Sequence, residues 1–565
     1  MKQLESIKEF LKSHYLMWIY FFVFQLVRIV STGVILNKSG LVYYFDSIVL
    51  GTFSNILLLM LPYLIFKTSL RKYLYFISVP LIVSNLFYLI HLFHLKAPIT
   101  LGAIAVIAET NPGEASDFIS SVGFKVISCS IVLAILPLLV LFFCKANNEI
   151  KSIGAKASIY LILPFYLIVN LGLSYFTSKG KVVYRKLNPF HSSFVFQDVK
   201  QVAYYFREQK KLKQYIENRP DFKFEASYTG ASDSLLVVLI IGESMSKSHL
   251  QLYGYPRETT PKLNSLKNLY VYKDVVSPAT QTRESIIRMM SLARGKYEDL
   301  FYNTGSIFTA AKEAGYYTYW LSNQMMLGIS DTENSVIAND ADYSKFINSD
   351  WSTASLDENM LPHLAKFLND KNSAKKFIVL HMLGNHFKYE NRYAEKSATV
   401  FSDDVFADYH TSHHKAVINH YDNSIRYSDE FIYNAIKLIE KNKKPAVVVY
   451  LSDHGEEVFD NKGLFVGHGS PKVRKEAVDI PFLLWFSEEY GVMNRFPNIN
   501  ATLLNKYITE DLFYTLVDLM ELSFEAADST KSIVSPNFVE KERFILNSNN
   551  QLINYKRILL NNKNN

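Results

Sequence analysis

The sequence predicts an α/β protein in two parts: a transmembrane domain of five helices and a soluble domain in which helices cover a mostly parallel sheet. Apolar stretches long enough to cross a bilayer occur only before about residue 178. After residue 232, short apolar runs alternate with helical patterns, which is typical of a parallel sheet covered on both faces. We therefore expect a transmembrane domain, an interfacial linker and a soluble domain at 1–178, 179–232 and 233–565.

The composition excludes one class of function and bears on the compartment. The net charge of +7 is modest for 565 residues and lies mostly beside apolar segments, so nucleic-acid binding is not indicated. Both cysteines, Cys129 and Cys144, fall in or at the edge of one apolar segment. The soluble domain must therefore be stable without disulfides, and its lack of free thiols is compatible with an oxidising compartment.

Five apolar segments are long enough to span a membrane, and the first lacks a cleavage site of small residues, so we expect an uncleaved anchor. Lysine and arginine are dense before the first segment, between the second and third, and between the fourth and fifth. By the positive-inside rule the N-terminus is then cytoplasmic, and the residues after 178 lie outside the inner membrane. The predicted segments are 15–36, 44–66, 73–95, 122–144 and 156–177.

Three polar features accompany these segments. Arg28 lies inside the first one, where a charge is costly, so it either snorkels or faces a polar cavity. Charged and aromatic residues interleave from Phe196 to Tyr215, which predicts a helix on the membrane surface or, alternatively, a solvated linker helix. The loop after the third segment is either an ordinary extracytoplasmic loop or one whose carboxylates meet a cationic lipid headgroup. Its polar residues are Glu109, Thr110, Asn111, Glu114 and Asp117.

The soluble domain alternates predicted strands with predicted helices, so residues that carry chemistry are expected just after the strands. The strands are predicted at 234–241, 269–273, 316–321, 376–383, 445–451 and 481–486. The helices include 284–293, 304–314, 357–369, 412–441 and 510–521.

The strand at 234–241 is an unbroken apolar run, as in a strand buried on both faces, and it stops at Gly242, Glu243 and Ser244. At such a strand end, where we expect a helix to start, Ser244 can act as a nucleophile. A helix N-terminus favours negative charge, and a metal can hold the hydroxyl as an alkoxide. The alternative is that Ser244 only caps the helix.

Two further strand ends carry polar residues of the same kind. The strand at 445–451 leads into Asp453 and His454, and His468 follows in the sequence VGHGSP; the strand at 376–383 leads to His386. With Glu243 and the Ser244 oxygen, Asp453 and His454 make a set of three oxygens and one nitrogen that suits tetrahedral Zn²⁺, with Mn²⁺ less favoured. His386 and His468 would bind phosphate oxygens, assist the leaving group or hold a second metal.

These residues lie in sequence motifs that resemble those of the bacterial phosphoethanolamine transferases, members of the alkaline phosphatase and sulfatase superfamily. The resemblance covers nearly the whole chain, and IGES with YGYPRETTP is highly specific when SDHGEE is also present. The matching text is IIGES and LYGYPRETTPKL, SPATQTRES at 277–285, LDENMLPHL at 356–364, LGNHFKY at 383–389, YDNSIRYSD at 421–429, LSDHGEEV at 451–458 and GHGS at 467–470.

The resemblance implies an alkaline-phosphatase and sulfatase-like catalytic domain in the periplasm, with the following site residues. Ser244 is similar to the nucleophile that carries phosphoethanolamine, and Glu243, Asp453 and His454 to the other zinc ligands. His386 and His468 resemble histidines that contact the transferred phosphate or a further zinc. In the loop that holds Asn111, Glu114 is similar to a carboxylate facing the donor lipid. The donor implied is phosphatidylethanolamine, and the acceptor is lipopolysaccharide.

The chain departs from the family pattern at two places. Many members that modify lipid A have a threonine nucleophile and several disulfides in the catalytic domain, whereas this chain has Ser244 and no cysteine there. Its motifs QLYGYPRETTP and SDHGEEV are more similar to those of members that modify core heptose. An amide-bearing residue that some members carry just before the ETN triplet is replaced by Val106.

We hypothesise an inner-membrane enzyme that moves phosphoethanolamine in two steps, first to Ser244 and then to lipopolysaccharide, with core heptose favoured over lipid A. The alternative enzyme is a phosphoglycerol transferase of the lipoteichoic-acid-synthase type, which shares the same plan. Sulfatase activity is disfavoured, because the Cys/Ser-x-Pro-x-Arg pattern around its nucleophile is absent. The alternative outside enzymes is a membrane sensor or transporter, although no internal repeat favours a transporter.

Overall fold

The computed structural model describes two compact units, one of residues 1–105 and 118–207 and one of 106–117 and 208–565. The domain boundaries expected at 178 and 232 stay predictions. The described residues are 15–35, 46–66, 69–95, 122–143, 193–217, 222–297, 299–324, 333–348, 355–394, 400–402, 406–462 and 465–563, with isolated positions between 44 and 119.

The first unit contains long apolar helices. Three of them, at Tyr15–Ile35, Leu70–His94 and Phe124–Phe143, are long and apolar enough to cross a membrane, which matches three of the five predicted segments. The second predicted segment forms a shorter apolar helix, and the fifth, at 156–177, lies outside the described residues. The helices are α1 (Tyr15–Ile35), α2 (Gly51–Phe66, after a π-helical turn at Asp46–Leu50), α3 (Leu70–Leu95), α4 (Phe124–Phe143) and α5 (Phe194–Glu217), of which α5 continues past the end of this unit at residue 207.

Arg28 is buried within this unit and faces a carboxylate. Its guanidinium donates to both carboxylate oxygens of Asp198 on α5, at 2.7 and 2.9 Å, and lies 3.8 Å from the ring centre of Tyr88. Ser84 donates to the same carboxylate. Such pairing stabilises a charge in an apolar helix. Of the two alternatives for Arg28, snorkelling or facing a polar cavity, the structure supports the second.

The second unit is built on a seven-stranded sheet with the order β2-β7-β6-β1-β5-β3-β4. The six predicted strands are present with ends shifted by no more than two residues. The strands are β1 (Leu236–Gly242), β2 (Leu269–Tyr272), β3 (Tyr317–Ser322), β4 (Tyr343–Phe346), β5 (Lys376–His381), β6 (Ala446–Ser452) and β7 (Phe482–Phe486).

The sheet is mixed, with four parallel pairs of neighbours and with β7 antiparallel to both β6 and β2. A parallel neighbour needs a crossover, usually a helix, whereas the described residues between β6 and β7 form short strands and one 3₁₀ turn at Lys475–Ala477. Strand β4 was not predicted, because it is an edge strand with exposed and half-buried residues in place of an apolar run.

Helices cover both faces of the sheet, as predicted. Alternate residues of β1 point to opposite faces: Val237 and Leu239 pack with α6, α7 and α10, and Val238 and Ile240 pack with α8 and α9. The helices that pack on the sheet are α6 (Thr282–Met290), α7 (Ile307–Glu313), α8 (Leu361–Asn369, after a 3₁₀ turn at Asp357–Met360), α9 (Ser412–Glu440) and α10 (Leu512–Leu519).

Short elements complete the unit, and one hairpin, Glu457–Val458 with Val466–Gly467, precedes His468. The other small strand pairs are Ser227–Tyr228 with Leu522–Ser523, Asp274–Val276 with Lys506–Ile508, and Phe544–Leu546 with Leu552–Asn554. The short helices are Pro261–Asn264, Asp299–Asn303, Glu333–Asn339, Val492–Arg495, Ile499–Thr502 and Tyr555–Lys563.

Candidate functional site

The carboxyl ends of β1 and β6 bring three of the predicted metal ligands together. Gly242 pairs with Ser452 in register, so Glu243 and Asp453 leave the sheet side by side. His454 Nε2 lies 3.2 Å from Glu243 Oε1 and 3.5 Å from Asp453 Oδ2. All three side chains are buried. Two carboxylates and one imidazole are therefore buried close together at the carboxyl edge of the sheet.

The hydrogen bonds around these groups leave a ring nitrogen and a carboxylate oxygen with lone pairs that can bind a cation. His454 Nδ1 lies 2.9 Å from the carbonyl oxygen of Gly455, so in the neutral imidazole Nδ1–H donates there and Nε2 keeps its lone pair. Asp453 Oδ1 accepts from backbone N–H groups, but its buried Oδ2 has no partner among the described residues. A buried carboxylate oxygen without a partner is costly unless an ion binds it, so this donor set fits a divalent cation.

The charges of the cluster are mutually dependent. Burial raises the pKa of Asp453, and the neighbouring Glu243 carboxylate raises it further, to about 8. Burial lowers the pKa of His454, but the carboxylates of Asp453 and Glu243 raise it to about 10. The site therefore attracts positive charge, either as protons or as a metal ion.

Ser244 contacts this cluster through its neighbour. Its backbone is in the left-handed region, with φ of 56°, and its Oγ donates to Glu243 Oε1 at 2.7 Å. Its carbonyl oxygen accepts from Tyr421 Oη at 2.7 Å, and Tyr421 Oη accepts from the N–H of Ser246 at 2.9 Å. Tyr421 therefore fixes the turn that holds Ser244.

The expectation that an α-helix starts after Ser244 is wrong, and so is the alternative that Ser244 caps it. The following residues form two 3₁₀ turns, Lys247–His249 and Gln251–Tyr253. The first turn is capped by Ser246, whose side chain accepts from the N–H of Ser248. A cap needs extended backbone and a free side-chain oxygen directed at the helix, whereas Ser244 has left-handed backbone and donates to Glu243.

A second hydroxyl, not singled out from the sequence, also reaches the cluster. Thr282 is the first residue of α6, after the N-cap residue Gln281. Its Oγ1 donates to Glu243 Oε2 at 3.0 Å and lies 3.3 Å from His454 Nε2. A threonine at the start of a predicted helix was the available signal, but its 39-residue separation from Glu243 is bridged only by the fold.

Gln324 was likewise missed. It follows β3, and its amide Nε2 donates to Glu243 Oε2 at 3.3 Å and to the carbonyl oxygen of Met382 at 2.9 Å. It therefore helps to hold the Glu243 carboxylate in position.

His468 joins the cluster through Glu456. His468 Nδ1 lies 2.5 Å from Glu456 Oε2, and the His468 ring centre lies 4.1 Å from that of His454. Tyr389 Oη donates to the other oxygen of Glu456 at 2.7 Å. His454, Glu456 and His468 form a second group of potential metal-binding atoms. Glu456 follows His454 closely in DHGEE, but no role was predicted for it.

His386 also lies near the cluster, at the turn after β5. Burial would raise the pKa of Glu243, but the imidazoles of His454, His386 and His468 hold it well below its usual range. The turn approaches β1 closely, because a side-chain carbon on Gly384 would lie 2.8 Å from the Glu243 nitrogen. Asn111 and Glu114, the predicted lipid-binding residues, lie outside the described residues.

Three comparisons relate this site to known proteins. Residues 236–522 match the model of the sulfatase family. The phosphoethanolamine transferase EptC of Escherichia coli (strain K12) is 34% identical over 329 residues, covering 56% of this chain and 57% of that protein. The phosphoethanolamine transferase CptA of Salmonella typhimurium is 31% identical over 338 residues, with the same coverage. The chain thus spans little more than half the length of these relatives in the alignments.

Solved structures give the same result. The C-terminal periplasmic domain of EptC from Escherichia coli, in complex with Zn, superposes with a TM-score of 0.55 at 32% identity, over 59% of this chain and 95% of that one. The integral membrane protein EptA from Neisseria meningitidis has a TM-score of 0.72 over 92% of this chain and 97% of that one, but at 17% identity it supports the fold alone. These relatives confirm the resemblance to phosphoethanolamine transferases. The chain belongs to the sulfatase family.

Proposed function

We propose that this protein transfers phosphoethanolamine from phosphatidylethanolamine to lipopolysaccharide, with core heptose favoured over lipid A as acceptor. The observation that carries the proposal is the buried cluster of Glu243, Asp453 and His454, with an unpartnered carboxylate oxygen and hydroxyl groups beside it. The names of the relatives, both phosphoethanolamine transferases, support the identity of the group that is moved.

Zn²⁺ is the proposed cofactor, with Mn²⁺ less favoured, held by Glu243, Asp453, His454 and one hydroxyl oxygen. Oxygen and nitrogen donors in a four-membered set suit zinc, and a related periplasmic domain is known in complex with Zn. Bound zinc would lower the pKa of the hydroxyl and neutralise charge on a phosphoryl oxygen.

The nucleophilic hydroxyl is that of Ser244 or Thr282, and the geometry favours Thr282. Ser244 Oγ donates to Glu243, the residue beside it in the chain, at a turn with left-handed backbone. Thr282 Oγ1 lies between Glu243 and His454 at the N-terminus of α6, where the helix dipole stabilises negative charge. Ser244 then serves to orient the Glu243 carboxylate. A threonine nucleophile also agrees with the threonine of many lipid A-modifying members of the family that this chain resembles.

In the first step the Thr282 hydroxyl gives its proton to Glu243 Oε2, to which it donates, while its oxygen bonds to phosphorus and the bond from phosphorus to the diacylglycerol oxygen breaks. His468 is oriented by Glu456, since its Nδ1 lies within hydrogen-bonding distance of that carboxylate, so its Nε2 is available to give the leaving oxygen a proton. His386, near Glu243, would bind a phosphoryl oxygen. In the second step an acceptor oxygen attacks phosphorus and gives its proton to His468, and the Thr282 oxygen leaves and regains its proton from Glu243.

The location is part of the proposal. We place the soluble unit in the periplasm beside the inner membrane, with Asn111 and Glu114 facing the ammonium of the donor headgroup. The lysine and arginine distribution supports this orientation. The interfacial linker, expected at 179–232, would connect the transmembrane domain to the catalytic domain.

Mass spectrometry of separated lipid A and core oligosaccharide tests the proposal in cells that carry the wild type, Thr282→Ala or Ser244→Ala. We expect Thr282→Ala to abolish the added phosphoethanolamine and Ser244→Ala to reduce it. If Thr282→Ala still modifies lipopolysaccharide fully and Ser244→Ala does not modify it at all, Ser244 is the nucleophile instead. An added mass of phosphoglycerol would instead establish the alternative of the lipoteichoic-acid-synthase type.

A further inference from the structure

The buried carboxylate of Asp357 holds the turn after β5, which carries His386. Asp357 is 3% exposed and begins the 3₁₀ turn before α8. Its Oδ1 accepts from the N–H of Leu383 at 2.8 Å, and its Oδ2 accepts from the N–H of Gly384 at 3.0 Å. One side chain therefore fixes the two peptide groups with which this turn begins.

The same turn continues into the candidate site. The N–H of His386 donates to the carbonyl oxygen of Leu383 at 3.2 Å and closes the turn, and the N–H of Asn385 donates to the carbonyl oxygen of Glu243 at 3.0 Å. Gly384, with φ of 49°, leaves no room for a side chain against Glu243. The peptide groups held by Asp357 therefore set the point from which the His386 ring extends beside Glu243.

Asp357 is itself held in place, as a residue that positions others must be. Its Oδ1 also accepts from the side-chain amide of Asn323 at 2.9 Å. Asn323 is fully buried directly after β3, and its N–H donates to the carbonyl oxygen of His381, the last residue of β5, at 2.9 Å. The carboxylate is thus fixed to the ends of two neighbouring strands of the sheet.

The contacts of Asp357 require an acid rather than an amide. Burial raises the pKa of Asp357, while its hydrogen bonds and the charge of Arg392 favour the ionised form. A carboxylate offers two acceptor oxygens, whereas the amide of asparagine offers one oxygen and an NH₂ group that only donates. Asparagine at this position would therefore direct a donor at one of the two N–H groups of the turn.

We propose that Asp357 is a positioning residue of the transfer reaction, because it holds the turn from which His386 binds a phosphoryl oxygen. This proposal rests on the proposed function, in which His386 has that role. Asp357 acts through the turn and not by contact with the reacting atoms. Its replacement should therefore slow the chemical step by displacing His386, beyond any loss of stability.

Asp429 provides a matched control, because it makes the same kind of contact elsewhere. It is 1% exposed, and its two oxygens accept from the N–H groups of Lys262 at 2.9 Å and Leu263 at 2.8 Å. These groups lie in the short helix Pro261–Asn264, none of whose residues belongs to the candidate site. Asp357→Asn and Asp429→Asn each take an acceptor from one buried N–H group, so both variants should have lower melting temperatures.

The first test measures release of diacylglycerol from phosphatidylethanolamine in a single turnover, with the full-length protein and saturating zinc, at a temperature at which all variants are folded. We expect Asp357→Asn to lower the rate constant about ten-fold to a hundred-fold and Asp429→Asn to leave it unchanged. In a His386→Ala background, Asp357→Asn should have a much smaller effect, because the residue that it positions is absent. An equal loss in both backgrounds, or an equal loss in Asp429→Asn, overturns the proposal.

The second test does not depend on activity. Amide hydrogen exchange of Leu383 and Gly384 should be faster in Asp357→Asn than in the wild type and unchanged in Asp429→Asn, because Asp357 protects these two N–H groups. Unchanged exchange in Asp357→Asn overturns the positioning role. A wild type that releases no diacylglycerol overturns the proposed function, whereas faster exchange in the variant would still support the hold of Asp357 on the turn.

Discussion

Two largely buried clusters in the soluble unit each contain one histidine and two carboxylates, but they differ in how their polar atoms are paired. The metal cluster is Glu243, Asp453 and His454, and the second, the His249 cluster, is His249, Asp422 and Asp460. In the His249 cluster both ring nitrogens are bonded, Nδ1 to Asp422 at 2.7 Å and Nε2 to Asp460 at 3.0 Å. In the metal cluster one oxygen of Asp453 has no partner among the described residues.

Further donors complete the His249 cluster. Asp422 also accepts from Arg257 at 2.7 Å and from Tyr255 at 2.8 Å, and Asp460 accepts from the N–H of Val458 at 2.8 Å. Burial lowers the pKa of His249, but the charges of Asp460 and Asp422 raise it to about 10. Two positive groups thus balance two carboxylates. The same residue types therefore make a network with fully paired ring nitrogens at His249, and a cluster with an open carboxylate oxygen, which suits the proposed metal, at Asp453.

The largest expected effect comes from removing a carboxylate of the metal cluster. Asp453→Ala should lower zinc content and reduce phosphoethanolamine transfer about a thousand-fold or more, because several kcal/mol of charge stabilisation are lost. Elemental analysis and a transfer assay on the purified protein measure the two effects. Asp460→Asn, in the His249 cluster, is the control and should keep its zinc. Full zinc content in Asp453→Ala would contradict the assignment of the metal ligands.

Removing a carboxylate of the His249 cluster should act on stability. Asp422→Ala leaves the positive charges of His249 and Arg257 buried without this partner, which costs about 3–5 kcal/mol. We expect a lower melting temperature but normal zinc content in the molecules that stay folded. Loss of zinc from Asp422→Ala at an unchanged melting temperature would contradict the structural role of the His249 cluster.

The pH dependence of stability should distinguish His249 from its neighbours. Because folding raises its pKa to about 10, His249 contributes stability fully below its unfolded pKa, near 6.5. This contribution decreases as the pH rises and is lost through pH 10. The stability advantage of the wild type over His249→Asn should therefore shrink by a few kcal/mol between pH 6 and pH 10. Denaturant unfolding at several pH values measures it, and an advantage that grows with pH would contradict the charged state.

The smallest effect concerns the metal-free protein. Without a cation, Glu243 and Asp453 are buried carboxylates that repel each other, so Asp453→Asn should stabilise the metal-free protein by roughly 1 kcal/mol or more. The same variant should gain less melting temperature than the wild type when zinc is added. Melting curves with chelator and with zinc test both statements. A variant that is less stable than the wild type in chelator would show that Asp453 is already balanced by the protein.

The sequence by itself determined most strands of the sheet and three residues that the fold brings together as candidate metal ligands. Unbroken apolar runs predicted six of the seven strands, and Glu243, Asp453 and His454 were found because they follow two of those runs directly. Neighbouring parallel strands end at the same edge of a sheet, so a local pattern was sufficient to bring these residues together.

The tertiary structure decided what depends on contacts between distant segments. Thr282 and Gln324 reach Glu243 from the start of α6 and the end of β3, and no local pattern distinguishes them from other polar residues. The direction of β7 and the turn after Ser244 were likewise set by the space available and by hydrogen bonds such as that from Tyr421. An apolar run reports the burial of its own residues, whereas the partner of a polar side chain is chosen by the fold.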